Sequence, residues 1–359
     1  APRAQELDQR EEFSWENWRA MAALGLQGIG IDPAYGGSGG GYREVAIVVE
    51  EVARGCVGTS VGLITHVSLS SQTIHQFGSE EQKRRFLPPM ARGERIGAWA
   101  LTEPGAGSDA ASIQTTAVKR NGLYYLNGTK IFSTNGDIAD YLVVFATHDR
   151  SLRTKGMSAF IVEKGMPGFK ATKQHGKMGI RGSTTAELVF QDCPVPEANR
   201  LGEEGQGWKI AMNILDSSRI IIAAQSVGIG QAALEAAVRY AQQRSTFGKK
   251  LGEHQAIQFM LADMASDVHA ARLMTLHAAT LKDQGLPFIN EASMAKLFAS
   301  EMCQRVADKA LQIYGGYGYF KEAPVERLFR DARITTIYEG TSEIQRLIIA
   351  RQVLQATGR

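Results

Sequence analysis

Gly228-Ile229-Gly230-Gln231-Ala232-Ala233 is the stretch on which the fold turns. It fits G-x-G-x-x-A, and residues 219–227 ahead of it are apolar enough to be taken for a strand. A dinucleotide-binding reading would make the chain a doubly wound α/β protein. That fingerprint needs a βαβ unit and an acid closing the second strand about 20 residues on. Here the pattern after Ala233 stays helical, and residues 244–251 form a basic loop. The glycines therefore read as small residues for close helix packing.

Residues 208–359 read as a four-helix bundle. The segments 214–243, 255–284, 288–313 and 341–354 are long, Ala-rich and amphipathic, with short links. Residues 99–207 differ in character. Asn121-Gly122, Asn127-Gly128 and Asn135-Gly136 are hairpin-type turn signals. They stand among strand-like runs at 115–119, 123–126, 130–133, 141–146, 158–162 and 185–190. Crossover helices have little room here, so an antiparallel sheet is expected. Residues 1–98 read as helical, with apolar residues at helical spacing over 15–24 and 44–54. Ser79 is placed to cap a helix whose first turn holds Glu80 and Glu81. The expected fold is multi-domain α+β: an α-helical N-terminal domain, an antiparallel β middle domain and a C-terminal four-helix bundle.

The 359 residues suit two or three domains. Forty basic and 37 acidic residues leave a net charge of +3, which does not point to nucleic acid. Hydrophobics at 44% and charges at 21% exclude wholesale disorder. No apolar run approaches the roughly 18 residues that a membrane span needs. Cys56, Cys193 and Cys303 are odd in number and form no C-x-x-C pair, which argues against a disulfide framework or thiolate zinc site and for a reducing compartment. The seven histidines never fall at H-x-x-x-H spacing, so no metal site is expected. The chain opens at Ala1 inside a helix-like charged stretch, 4–12, and its first helix is expected to be truncated.

Three segments carry chemistry. Leu101-Thr102-Glu103-Pro104-Gly105-Ala106-Gly107-Ser108-Asp109 sets small residues and hydroxyls round a Pro-Gly turn after a strand. Backbone N–H groups there can approach an anionic or polar ligand, though an ordinary polar turn would read the same. Gln312-Ile313-Tyr314-Gly315-Gly316-Tyr317-Gly318-Tyr319 ends a long helix in glycines, as a simple C-cap or as backbone packed against a flat ring. Ile337-Tyr338-Glu339-Gly340-Thr341-Ser342-Glu343-Ile344 precedes the last helix, which Thr341 or Ser342 would cap. Glu339 stands beside a glycine just before that cap, as a dipole partner or as a rigidly held general base.

Together these pieces make the chain resemble the acyl-CoA dehydrogenase family over nearly its whole length. Residues 100–112 match the family's first signature, and 312–331 its second, with Glu322, Arg327 and Asp331 at the expected spacing. Leu281-Lys282-Asp283, Pro287-Phe288-Ile289, Glu291-Ala292, Met294-Ala295-Lys296-Leu297 and 337–346 look most like the short-chain, butyryl-CoA type. The resemblance implies the same three domains and FAD bound without a Rossmann fingerprint. It implies FAD contacts for Trp99, Leu101, Thr102, Gly107 and Ser108, and for Phe132, Ser133 and Thr134. Phe132 replaces the family's commoner tryptophan and loses the indole N–H. Arg244, Phe247, Gln255, Gln312, Gly315 and Gly316 match positions that reach the neighbouring subunit's FAD, and Thr341 and Glu343 return to FAD. Ser108, Asp216, Ser218, Arg219, Tyr338 and Gly340 fall to the acyl-CoA, with Arg219 as a polar anchor. Glu339 is implied as the sole base. Relatives that carry this glutamate on the CoA-binding helix do so at the position of Ser218, whose hydroxyl is too weak a base.

The implied reaction is α,β-dehydrogenation of a short-chain acyl-CoA to the trans-2-enoyl-CoA, as in fatty acid β-oxidation. Glu339 would take the α proton as the β hydrogen leaves as hydride, with N–H and hydroxyl donors stabilising the enolate oxygen. Electrons would pass to an electron-transferring flavoprotein. A homotetramer built as a dimer of dimers is expected, in bacterial cytoplasm or the mitochondrial matrix according to source. Medium- or branched-chain dehydrogenases, an oxidase of the same fold and a non-catalytic protein reusing it are the alternatives. Glu339 and both signatures weigh against the last.

Overall fold

The computed structural model describes residues 2–356. The N-terminal region is helical: α1 (Ala4–Arg10), α2 (Trp15–Ala23), α3 (Tyr42–Gly55), α4 (Val57–Ile64), α5 (Ser71–Phe77) and α6 (Glu80–Ala91). α3 buries Val45, Ala46, Val49 and Ala53 on one face, as its spacing predicts. Ser79 starts α6 as expected: its Oγ accepts from the Gln82 N–H at 3.2 Å, while Gln82 Oε1 accepts from the Ser79 N–H at 2.8 Å. Between α4 and α5, Thr65–Ser70 winds as a single π-helical stretch, buried throughout.

The middle region holds β1 (Gly97–Ala100), β2 (Thr116–Arg120), β3 (Leu123–Thr134), β4 (Tyr141–Thr147), β5 (Met157–Glu163), β6 (Phe169–Lys173), β7 (Thr185–Pro196) and β8 (Arg200–Leu201). The main order is β6-β7-β3-β2-β4-β5-β8, with β1 beside β4. Most pairs are antiparallel, as expected, but β1 runs parallel to β4, and Thr116 of β2 pairs in parallel with Thr147. The parallel pairing is possible because the chain between β1 and β4 is long and includes β2 and β3, so the two strands are not joined by a tight turn.

Asn121-Gly122 turns the β2–β3 hairpin, but Asn127-Gly128 is no turn. It lies inside β3, where the register against β7 shifts between Leu126 and Gly128. A Cβ on Gly128 would sit 2.5 Å from Thr115 Oγ1, and its φ of +149° suits glycine alone. The two runs 123–126 and 130–133 are thus one bulged strand. Asn135-Gly136 follows β3 as an ordinary turn.

The C-terminal region holds α7 (Gly207–Gln243), α8 (Gln255–Asp283), α9 (Ile289–Tyr314), the short α10 (Pro324–Ala332) and α11 (Ser342–Ala356). Gly228 and Gly230 lie within α7. A Cβ on Gly228 would meet the Glu50 carbonyl oxygen of α3 at 2.3 Å, and one on Gly230 would meet the Met302 sulfur of α9 at 2.9 Å. The G-x-G motif is helix contact, with no βαβ unit around it. α7 corrects the expectation about apolar runs. Over 18 residues its mean hydropathy reaches 1.4, long and apolar enough to cross a membrane, but 78% of that window is buried inside the protein. Helices α3, α8 and α9 surround it, so its apolarity serves the core.

Candidate active site

Glu339 sits where α10 has ended and α11 has not begun. Its φ is +51° and that of Gly340 is +93°, so the turn doubles back through the left-handed region. Thr341 Oγ1 then accepts from the Ile344 N–H at 3.3 Å, the N-cap expected of α11. This hairpin of backbone holds the Glu339 carboxylate against α7, where the Ser218 hydroxyl donates to it. Ser218 is fully buried. The two positions that the resemblance names as alternative sites for the base therefore touch.

The surroundings set the proton affinity of Glu339. Burial raises its carboxyl above the ordinary value, and the Ser218 hydroxyl, Lys296 and Arg219 oppose that rise without cancelling it. The residue as a whole is half-buried. Arg219 is itself buried and held by Asp216 at 2.5 Å. Burial also pushes the Asp216 carboxyl upward, against the pull of Arg219. The expected polar anchor is thus engaged inside the protein. Tyr338 is bound through its phenol to Gln225, whose amide donates to Ser60 Oγ at 2.9 Å, tying the turn to α4.

A second group forms on the middle domain. Leu101 and Thr102 lead from β1 into the Pro-Gly turn, and the Thr102 carbonyl accepts from the Ile131 N–H at 2.9 Å. Beneath them Lys130 Nζ donates to Glu103 Oε1 at 2.7 Å and to the Leu101 carbonyl at 3.1 Å. Glu103 also accepts from the N–H groups of Gln114 and Thr115. Burial works to raise the Glu103 carboxyl, but the Lys130 ammonium and these donors hold it below its usual value. Lys130, fully buried, is pushed down to about 8. Gly107 and Ser108 lie exposed beyond this anchor. Phe132 has φ +57° and points outward, 66% exposed, while Ser133 is buried and Thr134 half-buried.

A third group lies at the far end of α7. Arg244, Gly315 and Gly316 line a cavity of about 1150 Å³ with Tyr240, Tyr314 and Tyr317. Arg244 rides over the Tyr317 ring at 5.5 Å. Phe247, at φ +50°, is 98% exposed, and Gln255 and Gln312 are exposed too. Glu339 does not line this cavity. Thr341 and Glu343 remain beside Glu339 at the start of α11.

Sequence reasoning missed Lys296, Gln345 and the Glu103–Lys130 pair. Lys296 carried a signal: it is the lone charge on a helix face with Ala292, Ala295 and Ala299, all buried. Glu103 and Lys130 are 27 residues apart, and nothing local joins them.

These sites sit on a helical, sheet and helical succession that family models match in order. The matches are the acyl-CoA dehydrogenase N-terminal domain over residues 1–94, the middle domain over 98–193 and the C-terminal domain over 205–354. The chain belongs to the acyl-CoA dehydrogenase family and is an FAD-dependent oxidoreductase acting on acyl-CoA. It is similar to the butyryl-CoA dehydrogenase of Megasphaera elsdenii, with TM-score 0.96 and 47% identity, covering 99% of this chain and 94% of that one. A chain in the structure of the electron transferring flavoprotein of Acidaminococcus fermentans matches with TM-score 0.97 and 48% identity, covering 99% and 93%. The acryloyl-CoA reductase (NADH) of Anaerotignum propionicum is 49% identical, covering 99% of this chain and 90% of that protein.

The residues present fit FAD. Trp99 Nε1 and Ser133 Oγ are buried and lack a partner within the chain, as polar atoms awaiting a ligand would be. Gly105 and Gly107 have nothing within 4 Å of where a Cβ would stand, leaving backbone free for close approach. Among the described residues no cluster of ligands for a metal occurs.

Proposed function

We propose that this enzyme dehydrogenates short-chain acyl-CoA thioesters to trans-2-enoyl-CoA, with Glu339 as the base. The observation that carries the reading is the Glu339 carboxylate, enclosed at a helix junction and raised in proton affinity by burial. An α C–H beside a thioester is a very weak acid, so a base of raised proton affinity is the better match. The Glu339 N–H, in the same left-handed turn, would suit a developing enolate oxygen. Bound FAD supplies the acceptor for the β hydrogen and its electron pair. Trp99, Leu101, Thr102, Gly107, Ser108 and the Phe132–Thr134 segment would hold it, and Thr341 and Glu343 would meet it from α11. Asp216, Ser218, Arg219, Tyr338 and Gly340 would form the thioester end of the substrate site.

An electron-transferring flavoprotein is the proposed electron acceptor, in keeping with the Acidaminococcus structure. The Anaerotignum relative is named for the reverse direction. The same base serves both directions, because a proton donor in one is the acceptor in the other. The potential of the electron partner then decides net flux.

Anaerobic addition of butyryl-CoA should bleach the flavin within the dead time to seconds. Glu339→Gln should keep FAD and bind acyl-CoA yet lose several orders of magnitude in reduction rate. Glu339→Gly combined with Ser218→Glu should regain activity, since the two side chains meet. Near-parent bleaching by Glu339→Gln would remove the base assignment, and a clear optimum at eight or more carbons, about 0.8 kcal/mol per added methylene, would remove the short-chain one.

A further inference from the structure

We propose that Lys296 is a positioning residue for this reaction: its ammonium clamps the Gly340 carbonyl and keeps a positive charge beside the Glu339 carboxylate. The proposal rests on reading Glu339 as the base. Lys296 projects from α9 and is fully buried. An ammonium in such a place is costly unless it has work that an apolar side chain would not do. Its Nζ donates to the Gly340 carbonyl at 2.7 Å. The same oxygen accepts from Gln345 Nε2 at 3.0 Å, and Gln345 is fully buried too. Two donors from different helices thus fix one carbonyl immediately after Glu339.

That clamp matters because the turn is strained. Glu339 holds φ +51°, a region that a side chain enters only under constraint. Release of the Gly340 carbonyl would let the turn relax and carry the carboxylate away from its position against Ser218.

The charges around the carboxylate single out Lys296. Arg219 on α7 also faces Glu339, but Asp216 neutralises it at close range. Around Lys296 stand Glu339, Arg219, Cys303 of α9 and Glu343 of α11. Tyr338 is kept neutral by burial, with Glu339, Cys303 and Asp331 of α10 acting in the same sense. Among the described residues Lys296 makes no direct ion pair, so its charge is available to Glu339. Burial lowers Lys296 to about 8, which leaves it cationic at neutral pH.

The test is the pH profile of anaerobic flavin reduction by butyryl-CoA in FAD-loaded enzyme. Lys296→Met and Lys296→Gln should reduce flavin about 10-fold to 100-fold more slowly at pH 7. Their acid limbs should move to higher pH by about one unit, because the carboxylate loses a stabilising cation. Lys296→Arg should return the acid limb to the parent position. Gln345→Leu, which removes a neutral donor from the same carbonyl, should slow reduction without moving the limb. An acid limb in either neutral variant that coincides with the parent's overturns the proposal. Should neither fold with FAD, Gln345→Leu and Lys296→Arg decide: both keep a cation beside Glu339 and should hold the acid limb at the parent position while slowing reduction. A limb that moves in either, or the parent rate in both, overturns the proposal. Glu339→Gln in the same experiment separates the two readings. If it retains the parent rate, the base assignment is lost; if it is inactive while the Lys296 profiles stay put, only this inference falls.

Discussion

Glu339 and His66 show how differently one buried titratable group can be used from another. Glu339 is half-buried, and burial raises its carboxyl above the ordinary value. His66 is sealed, and its ring serves architecture. Its Nδ1 accepts from the Gly97 N–H at 3.0 Å, so the proton is on Nε2, which faces the Met90 carbonyl at 3.1 Å. The neutral ring thus joins α6 to the start of β1. Burial pushes its pKa down to about 4. In the unfolded chain histidine binds a proton near pH 6.5, and the folded chain refuses it until about 4, so the unfolded state gains protons first as pH falls. Stability is therefore lost between pH 6.5 and 4, by about 3 kcal/mol in full. Urea unfolding at pH 6.5 and pH 5 should show the parent losing about 2 kcal/mol more than His66→Gln. Parallel losses in the two proteins would show that His66 is not the group responsible.

At the scale of elements, glycine marks two opposite situations. Gly228 is filled space: α3 packs so closely on α7 that a methyl group would strike the Glu50 carbonyl at 2.3 Å. Gly228→Ala should cost about 1–3 kcal/mol in the apoprotein, read by denaturant unfolding. Gly107 is open space, with nothing within 4 Å of a Cβ. Gly107→Ala should leave apoprotein stability as it is and weaken FAD binding, read by fluorescence titration. A stability loss in Gly107→Ala, or none in Gly228→Ala, would reverse these assignments. The helices themselves were legible because period and length agree over 20 residues or more. β3 was not, because Asn127-Gly128 has the composition of a turn. Its role as a bulge depends on Thr115 passing close by, a contact invisible from local sequence.

Across the whole molecule the candidate residues separate into three groups rather than one pocket. Two would serve a single chain's flavin and thioester. The third, round Arg244 and the glycines after α9, faces a cavity that Glu339 does not share. That separation suits residues that complete a neighbour's site. Arg244→Ala should therefore lower FAD retention and loosen the subunit pair together, read by gel filtration at low protein concentration with absorbance at 450 nm, roughly the flavin band. Stoichiometric FAD with an unchanged elution volume would place Arg244 outside the cofactor site.

The succession of helical, sheet and helical regions was legible in the sequence, because period-2 and period-3.6 patterning is written in neighbouring residues. The sequence also rejected the Rossmann reading of Gly228–Ala233 and, through two signatures and the Tyr338-Glu339-Gly340-Thr341 segment after them, pointed to Glu339. What surrounds that carboxylate follows from the folded chain. Ser218 lies 121 residues away in sequence, and the Lys296–Gly340 contact spans 44. A proton affinity is a sum over burial and charge in space, and chains of this length bring such groups together only by folding.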